Sequence, residues 1–169
     1  MRYSNKWKNW LAIIDKKTCM DCKTRHGQIY AIDEQPDRMP PIHYNCRCRI
    51  EKLKSIFAGE ATDKKQDGAD WYLKYKACLP DYYISREQAE LAGWNPKSGN
   101  LFEVLPNKML LGGTYKNKNK HLPVEEGREW YEVDINYEKG YRNIQRIVYS
   151  NDGLMFVTYD HYETFIEIR

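Results

Sequence analysis

Two textures of apolar and polar positions divide this chain. From Trp130 the period is two: Tyr131, Val133, Ile135 and Tyr137 alternate with Trp130, Glu132, Asp134 and Asn136, which predicts a strand. Residues 146–150 and 154–159 are further strand-like runs. Between them stands Asn151-Asp152-Gly153, whose Asp-Gly pair suits the positive φ of a tight hairpin. Residues 164–168 predict a last strand. Upstream the spacing is helical. Trp71, Tyr72 and Tyr75 predict a short helix over 70–75. Ser85-Arg86-Glu87-Gln88 reads as a capping box, with Ser85 as N-cap. Its helix runs through Ala89 to Ala92 and stops at Gly93. Helices first and antiparallel strands afterwards make an α+β fold, with N-terminal helices packed on a twisted antiparallel sheet.

Residues 1–57 lack this regularity; they hold short apolar pieces, loops and four of the five cysteines. Residues 58–68 are polar, contain Gly and show no apolar period, so they predict a linker. The expected organisation is a Cys-rich module over 1–57, a linker over 58–68 and an α+β domain over 69–169.

Hydrophobic residues make up 41% of the 169 positions and charged residues 30%, ordinary for a soluble globular protein. Fourteen Tyr and five Trp favour sheet. A net charge of +3 suits an RNA partner and equally suits none, so local placement must decide. Met1-Arg2-Tyr3-Ser4 leads into Lys and Trp, not into the apolar core of a signal peptide. No apolar run approaches the roughly 20 residues of a membrane span. The expectation is a protein with no membrane partner and no signal peptide.

Cys19-x2-Cys22 and Cys46-x-Cys48, with His43 three residues before Cys46, point to metal. Zinc takes four soft or borderline ligands in a tetrahedron. Cys19, Cys22, Cys46 and Cys48 supply four, with His43 as the alternative to Cys46 or Cys48. Free thiols or a disulfide are the competing readings. His26 reads as an exposed loop histidine, and Cys78 as a buried structural thiol.

Alternation sets Glu132 on the strand face opposite Val133 and Ile135. Arg142 and Arg146 flank the next strand, and His161 follows the third. Adjacent strands lie about 4.8 Å apart, so these side chains can converge on one sheet face. RNA cleavage without metal needs such a set. The 2′-hydroxyl is the nucleophile. A carboxylate can take its proton, an imidazolium can protonate the leaving oxygen, and guanidiniums can hold the phosphoryl charge.

Several stretches resemble the barnase-type microbial ribonucleases. They are Leu79-Pro80-Asp81-Tyr82-Tyr83-Ile84-Ser85, Gln88-Ala89-Glu90-Leu91-Ala92-Gly93-Trp94, Gly127-Arg128-Glu129-Trp130-Tyr131-Glu132-Val133-Asp134-Ile135-Asn136-Tyr137 and Asp160-His161-Tyr162-Glu163-Thr164-Phe165. The likeness spans nearly all of 70–169. It implies Glu132 as general base, His161 as general acid, and Arg142 and Arg146 as phosphate ligands. Arg86 falls where the family has a transition-state lysine. Tyr162 falls on a base-contacting position, and Tyr115, Asn117 and Lys118 belong to the implied substrate loop. The implied reaction needs no cofactor and passes through a 2′,3′-cyclic phosphate. One departure is clear: Asn119 stands where the family carries its guanine-reading glutamate. An amide cannot accept both guanine hydrogen bonds, so a relaxed base preference is expected.

A second resemblance lies upstream. Trp10-Leu11-Ala12, Thr18-Cys19-Met20-Asp21-Cys22, His26-Gly27, Pro40-Pro41-Ile42-His43 and Asn45-Cys46-Arg47-Cys48 are similar to the C-terminal part of phage Mu-type minor head proteins. Together the two imply a phage-borne polymorphic toxin acting in the bacterial cytoplasm. Its implied partners are RNA, a barstar-like immunity protein, and a phage head or secretion apparatus that carries it as a virion-associated or exported protein. The alternative is a virion structural or nucleic-acid-binding module whose nuclease fold is inactive.

Overall fold

A computed structural model describes residues 2–169. Among the described residues there are nine strands: β1 (Arg2–Leu11), β2 (Ile29–Ala31), β3 (Arg49–Ile56), β4 (Tyr83–Ile84), β5 (Met109–Tyr115), β6 (Trp130–Asp134), β7 (Arg146–Ser150), β8 (Met155–Thr158) and β9 (Ile166–Ile168). They form one sheet in the order β2-β1-β3-β9-β8-β7-β6-β5-β4. The helices are short: α1 (Met20–Arg25), α2 (Ala69–Lys76), α3 (Arg86–Leu91) and α4 (Leu101–Val104). No helix among the described residues is long and apolar enough to cross a membrane.

The sheet is mixed rather than antiparallel as expected. Pairings β3–β9 and β4–β5 are parallel; the rest are antiparallel. The Cys-rich segment contributes three strands to this sheet, which the pattern of 1–57 did not suggest. The stretch 58–68, expected as a linker, is packed. Ala58 and Ala61 are buried with Ala69, Val133, Ile135 and Ile147. The buried Asp70 carboxylate fixes this turn, accepting from Gly59 N (2.6 Å) and Ala61 N (3.0 Å).

Local chemistry accounts for the central elements. Ser85 Oγ accepts from Gln88 N (3.1 Å), and Gln88 Oε1 accepts from Ser85 N (3.2 Å). The helix then ends at Gly93, whose φ of 101° suits glycine. Asp152-Gly153 turns the β7–β8 hairpin. Both faces of the central strands are covered. Val133, Ile147, Val157 and Ile168 meet α2 on one side. Trp130, Val148, Phe156 and Phe165 meet Ile29, Leu53 and Leu122 on the other. Glu132 and Asp134 share this second face.

Candidate active site and metal cluster

Strand register assembles the site. Asp134, Arg146 and Thr158 lie side by side across β6, β7 and β8. Glu132, Val148 and Phe156 form the next row. Asp134 and Arg146 are buried. The Asp134 carboxylate accepts from Arg142 Nε and Nη2, both at 2.7 Å. It also lies 3.0 Å from Arg146 Nε, too bent for a hydrogen bond. Arg146 Nη1 donates to Asn143 Oδ1 (3.2 Å) and Gln145 O (2.6 Å). Arg142 Nη1 and Arg146 Nη2 are bonded by no described residue. The Asp134 bonds hold the Arg142 guanidinium above its ordinary pKa against burial, with the Glu132 carboxylate adding to the negative field. Sequence reasoning did not assign Asp134; only its place on Glu132's face hinted at it.

Glu132 is half-buried, and Tyr162 Oη donates to its Oε2 at 2.6 Å. Burial, then this carboxylate, raises the Tyr162 phenol well above its ordinary pKa. Tyr115, stacked on Tyr162 with centroids 5.1 Å apart, is pushed up to about 12 by burial and by Glu132. Both phenols therefore stay neutral donors near neutral pH.

His161 and Tyr162 both have left-handed backbones, with φ of 59° and 69°, which non-glycine residues adopt only when held. Asp160 and Thr158 hold them. Tyr162 N donates to Thr158 Oγ1 (2.9 Å), which donates to Asp160 Oδ1 (2.9 Å). Asp160 also accepts from Thr164 N and Oγ1. Burial opposes charge on Asp160, yet these bonds outweigh it and keep its pKa low.

A cleft of about 350 Å³ joins Glu132, His161, Tyr162, Tyr115, Asn117 and Lys118. None of the three expected arginines, Arg86, Arg142 and Arg146, lines it; Arg142 and Arg146 sit on Asp134, one row away from Glu132, and Arg86 Nε lies 2.9 Å from Glu90 in an exposed i,i+4 pair. The Asn117 side chain faces its own loop, donating to Leu122 O (2.8 Å) and accepting from Leu122 N (3.1 Å). Leu122 is buried in the core, so Asn117 anchors the loop and its amide is occupied. Asn119 is exposed.

Gly112 is the extra residue of an irregularity between β5 and β6. A Cβ there would come within 2.4 Å of Glu132 Cγ. Gly112→Ala is expected to push the carboxylate off Tyr162; should Glu132 act as the base that the sequence suggests, kcat falls by about 10²-fold, because small misplacements of a reacting group are that costly. Steady-state kinetics beside a melting curve checks this; unchanged kcat would refute the crowding.

Residues 63–169 match the family described as ribonuclease. The chain belongs to that ribonuclease family. Over 101 residues it is 48% identical to a ribonuclease of Heyndrickxia coagulans, a match covering 60% of this chain and 92% of that protein. It is also 48% identical over 101 residues to ribonucleases of Bacillus intermedius and Bacillus pumilus, covering 60% of this chain and 62% of each. The match thus spans less than two thirds of the two Bacillus proteins. Residues 1–51 match a second family, Phage Mu protein F like protein. The ribonuclease match contains every strand from β4 to β9, and the cleft lies within it.

The Cys-rich segment gathers five donors. His43 Nε2 lies 3.3 Å from Cys19 Sγ and 3.2 Å from Cys22 Sγ, and Cys22 Sγ lies 3.9 Å from Cys46 Sγ. Cys22, Cys46 and Cys48 also cluster. His43 Nδ1 contacts Tyr44 O at 2.8 Å; as the donor there it leaves the Nε2 lone pair facing the thiols. Such a cluster can hold a metal. Two isolated expectations are corrected. His26 is half-buried and its Nδ1 accepts from Ala12 N (3.1 Å). Cys78 is exposed, because α2 ends just before it, with Ala77 left-handed.

Proposed function

We propose that this chain is a metal-independent endoribonuclease toxin that cleaves single-stranded RNA. The convergence of Glu132, His161 and Tyr162 beside the Asp134-braced arginines carries the reading. The Glu132 carboxylate takes the proton of the 2′-hydroxyl as that oxygen attacks the adjacent phosphorus. The P–O5′ bond breaks and His161 protonates the departing oxygen. Arg142 Nη1 and Arg146 Nη2 donate to the non-bridging oxygens as charge gathers there. Tyr162 orients Glu132. The 2′,3′-cyclic phosphate is then opened by water with the two roles exchanged. Arg86 serves as an outer cation, since its exposed pair with Glu90 holds only about 0.3–0.5 kcal/mol. Tyr115 and Tyr162 offer ring faces to a base, and Lys118 offers charge to a phosphate.

RNA incubated with the protein in excess EDTA is expected to be cleaved, leaving cyclic phosphate ends. Tight RNA binding without cleavage would refute the enzymatic reading. It would favour a virion nucleic-acid-binding module, which the match of 1–51 supports.

That same match supports a phage association; on the toxin reading, a phage head or secretion apparatus delivers the protein into bacterial cytoplasm. A producing cell would then need a barstar-like immunity protein, acidic enough to cover the arginines. We assign the cysteine cluster to structural zinc, with Cys19, Cys22, Cys46 and Cys48 as ligands and His43 as the alternative to Cys46 or Cys48. A tetrahedral site spaces sulfur and nitrogen ligands by roughly 3.6–3.8 Å; Cys22 Sγ, shared by both groups of donors, stands near that distance from His43 (3.2 Å) and from Cys46 (3.9 Å). Purified protein is expected to carry about one zinc, and a strong chelator to lower its melting temperature while trinucleotide cleavage persists. Metal-free protein with an unchanged melting curve would end the assignment.

A further inference from the structure

We propose that the groove between α1 and the 116–120 loop is a second RNA-phosphate subsite, carrying the substrate strand off the ribonuclease domain onto the Cys-rich segment. The inference rests on the cleft described above being the RNA cleavage site. The groove holds about 560 Å³ and is lined by Lys23, Gln28, Lys118, Asn119, Lys120 and His121, together with Thr24. Lys118 and Asn119 also wall the cleavage cleft, so a strand leaving that cleft over the loop enters the groove directly.

Its charge is one-sided. No carboxylate lines it. Lys23, Lys118 and Lys120 are exposed, and none forms an ion pair with a described residue. In the adjoining pocket, which shares Thr24, Gln28 and Lys120, Asp21 pairs with Arg25 and Arg38, Asp37 pairs with Arg25, and Glu34 accepts from Ala31 N. Three lysines outside any ion pair, around one concave surface with no carboxylate in its lining, fit a polyanion.

The two walls are also fixed relative to each other. Ile29 N donates to His121 O at 2.8 Å. His121 Nδ1 contacts Tyr162 O at 3.2 Å. Gly27, with φ of 84°, fits so tightly that a Cβ would lie 2.1 Å from Glu163 O. The segment bearing Lys23 therefore abuts the loop bearing His161. Each phosphate neutralised on a single strand adds about 0.7 to the slope of log affinity against log salt. A subsite reached only by longer strands must show that signature only with longer strands.

The test uses the full chain and 2′-O-methyl RNA, which lacks the free 2′-hydroxyl and cannot be cleaved. Binding of a trinucleotide and of an oligomer of about ten nucleotides is measured by anisotropy across a salt series. Lys23→Ala is expected to weaken the longer strand about fivefold and to lower its salt slope by about 0.7. Lys23→Glu should weaken it further, and Lys23→Arg should restore it. The trinucleotide should bind all four proteins alike. Lys23 lies exposed in the last turn of α1, and a melting curve shows whether each variant is folded. A longer strand indifferent to Lys23→Glu would overturn the subsite, as would equal losses for both lengths. Cleavage of an unmodified trinucleotide is scored separately. Its absence removes the proposed reaction without altering the binding result, so the two failures are distinguishable.

Discussion

Replacing His161 with alanine is expected to lower kcat for RNA transesterification by about 10²–10⁴-fold, the span of a positioned general acid. Stability should change little. His161 is exposed, and alanine inherits the same left-handed backbone at no great extra cost, so the shift is expected to stay under about 1 kcal/mol. Glu132→Gln should give a comparable fall, since glutamine can still accept from Tyr162 Oη but cannot take the proton. The double variant should be barely slower than either single one, because groups acting in one step are not additive. Single-turnover cleavage of a defined oligonucleotide measures all three. A His161→Ala protein within tenfold of the parent would refute the assignment.

Asp134→Ala should damage both stability and catalysis. It leaves the buried Arg146 without its counter-charge and frees Arg142 from a two-point clamp. Removing one partner of a buried ion pair costs about 3–5 kcal/mol. For a chain of this length that lowers the melting midpoint by on the order of 10 °C. The arginines would also lose the orientation that leaves Arg142 Nη1 and Arg146 Nη2 to bind phosphate, so kcat should fall at least about 10²-fold. Asp134→Asn keeps an acceptor and the shape, and should fall between. Calorimetry with kinetics checks both effects; a variant as stable as the parent would show that the arginines find other partners.

What the sequence revealed was local. The capping box at Ser85 and Gln88, the Asp152-Gly153 hairpin and strand β7 are each set by a few adjacent residues, and all appear as read. The alternation of β6 likewise put Glu132 on the site's face. What it hid depends on distant partners. β3 is mostly polar, and its neighbour β9 is more than 100 residues away, with Ser55 opposite Glu167 and Ile56 opposite Ile168; no local period announces such a pairing. The polar composition of 58–68 concealed Ala58 and Ala61, whose burial depends on Asp70. Nothing local to Asn117 announces that Leu122 occupies both ends of its amide. The brace at Asp134 needs one arginine from the β6–β7 connection and one from β7 itself, and spacing alone does not bring them to one carboxylate.

The two outermost strands of the sheet, β2 with three residues and β4 with two, bear on how the protein behaves when concentrated. A long bare margin of unpaired backbone would recruit another copy of the chain. On one margin β4 covers only Met109 and Leu110 of β5, and the part of β5 beyond it is interrupted by the irregularity at Gly112. On the other, the part of β1 beyond β2 is broken where Ser4 Oγ takes the amides of Lys6 and Trp7. Cutting the chain after β3 and removing its first three strands would change that balance. It would open the flank of β9 and strip Ile29 and Leu53 from the apolar cluster beneath the cleft. A liberated ribonuclease half would therefore be stickier than the whole, and its solubility would depend on what next covered that flank.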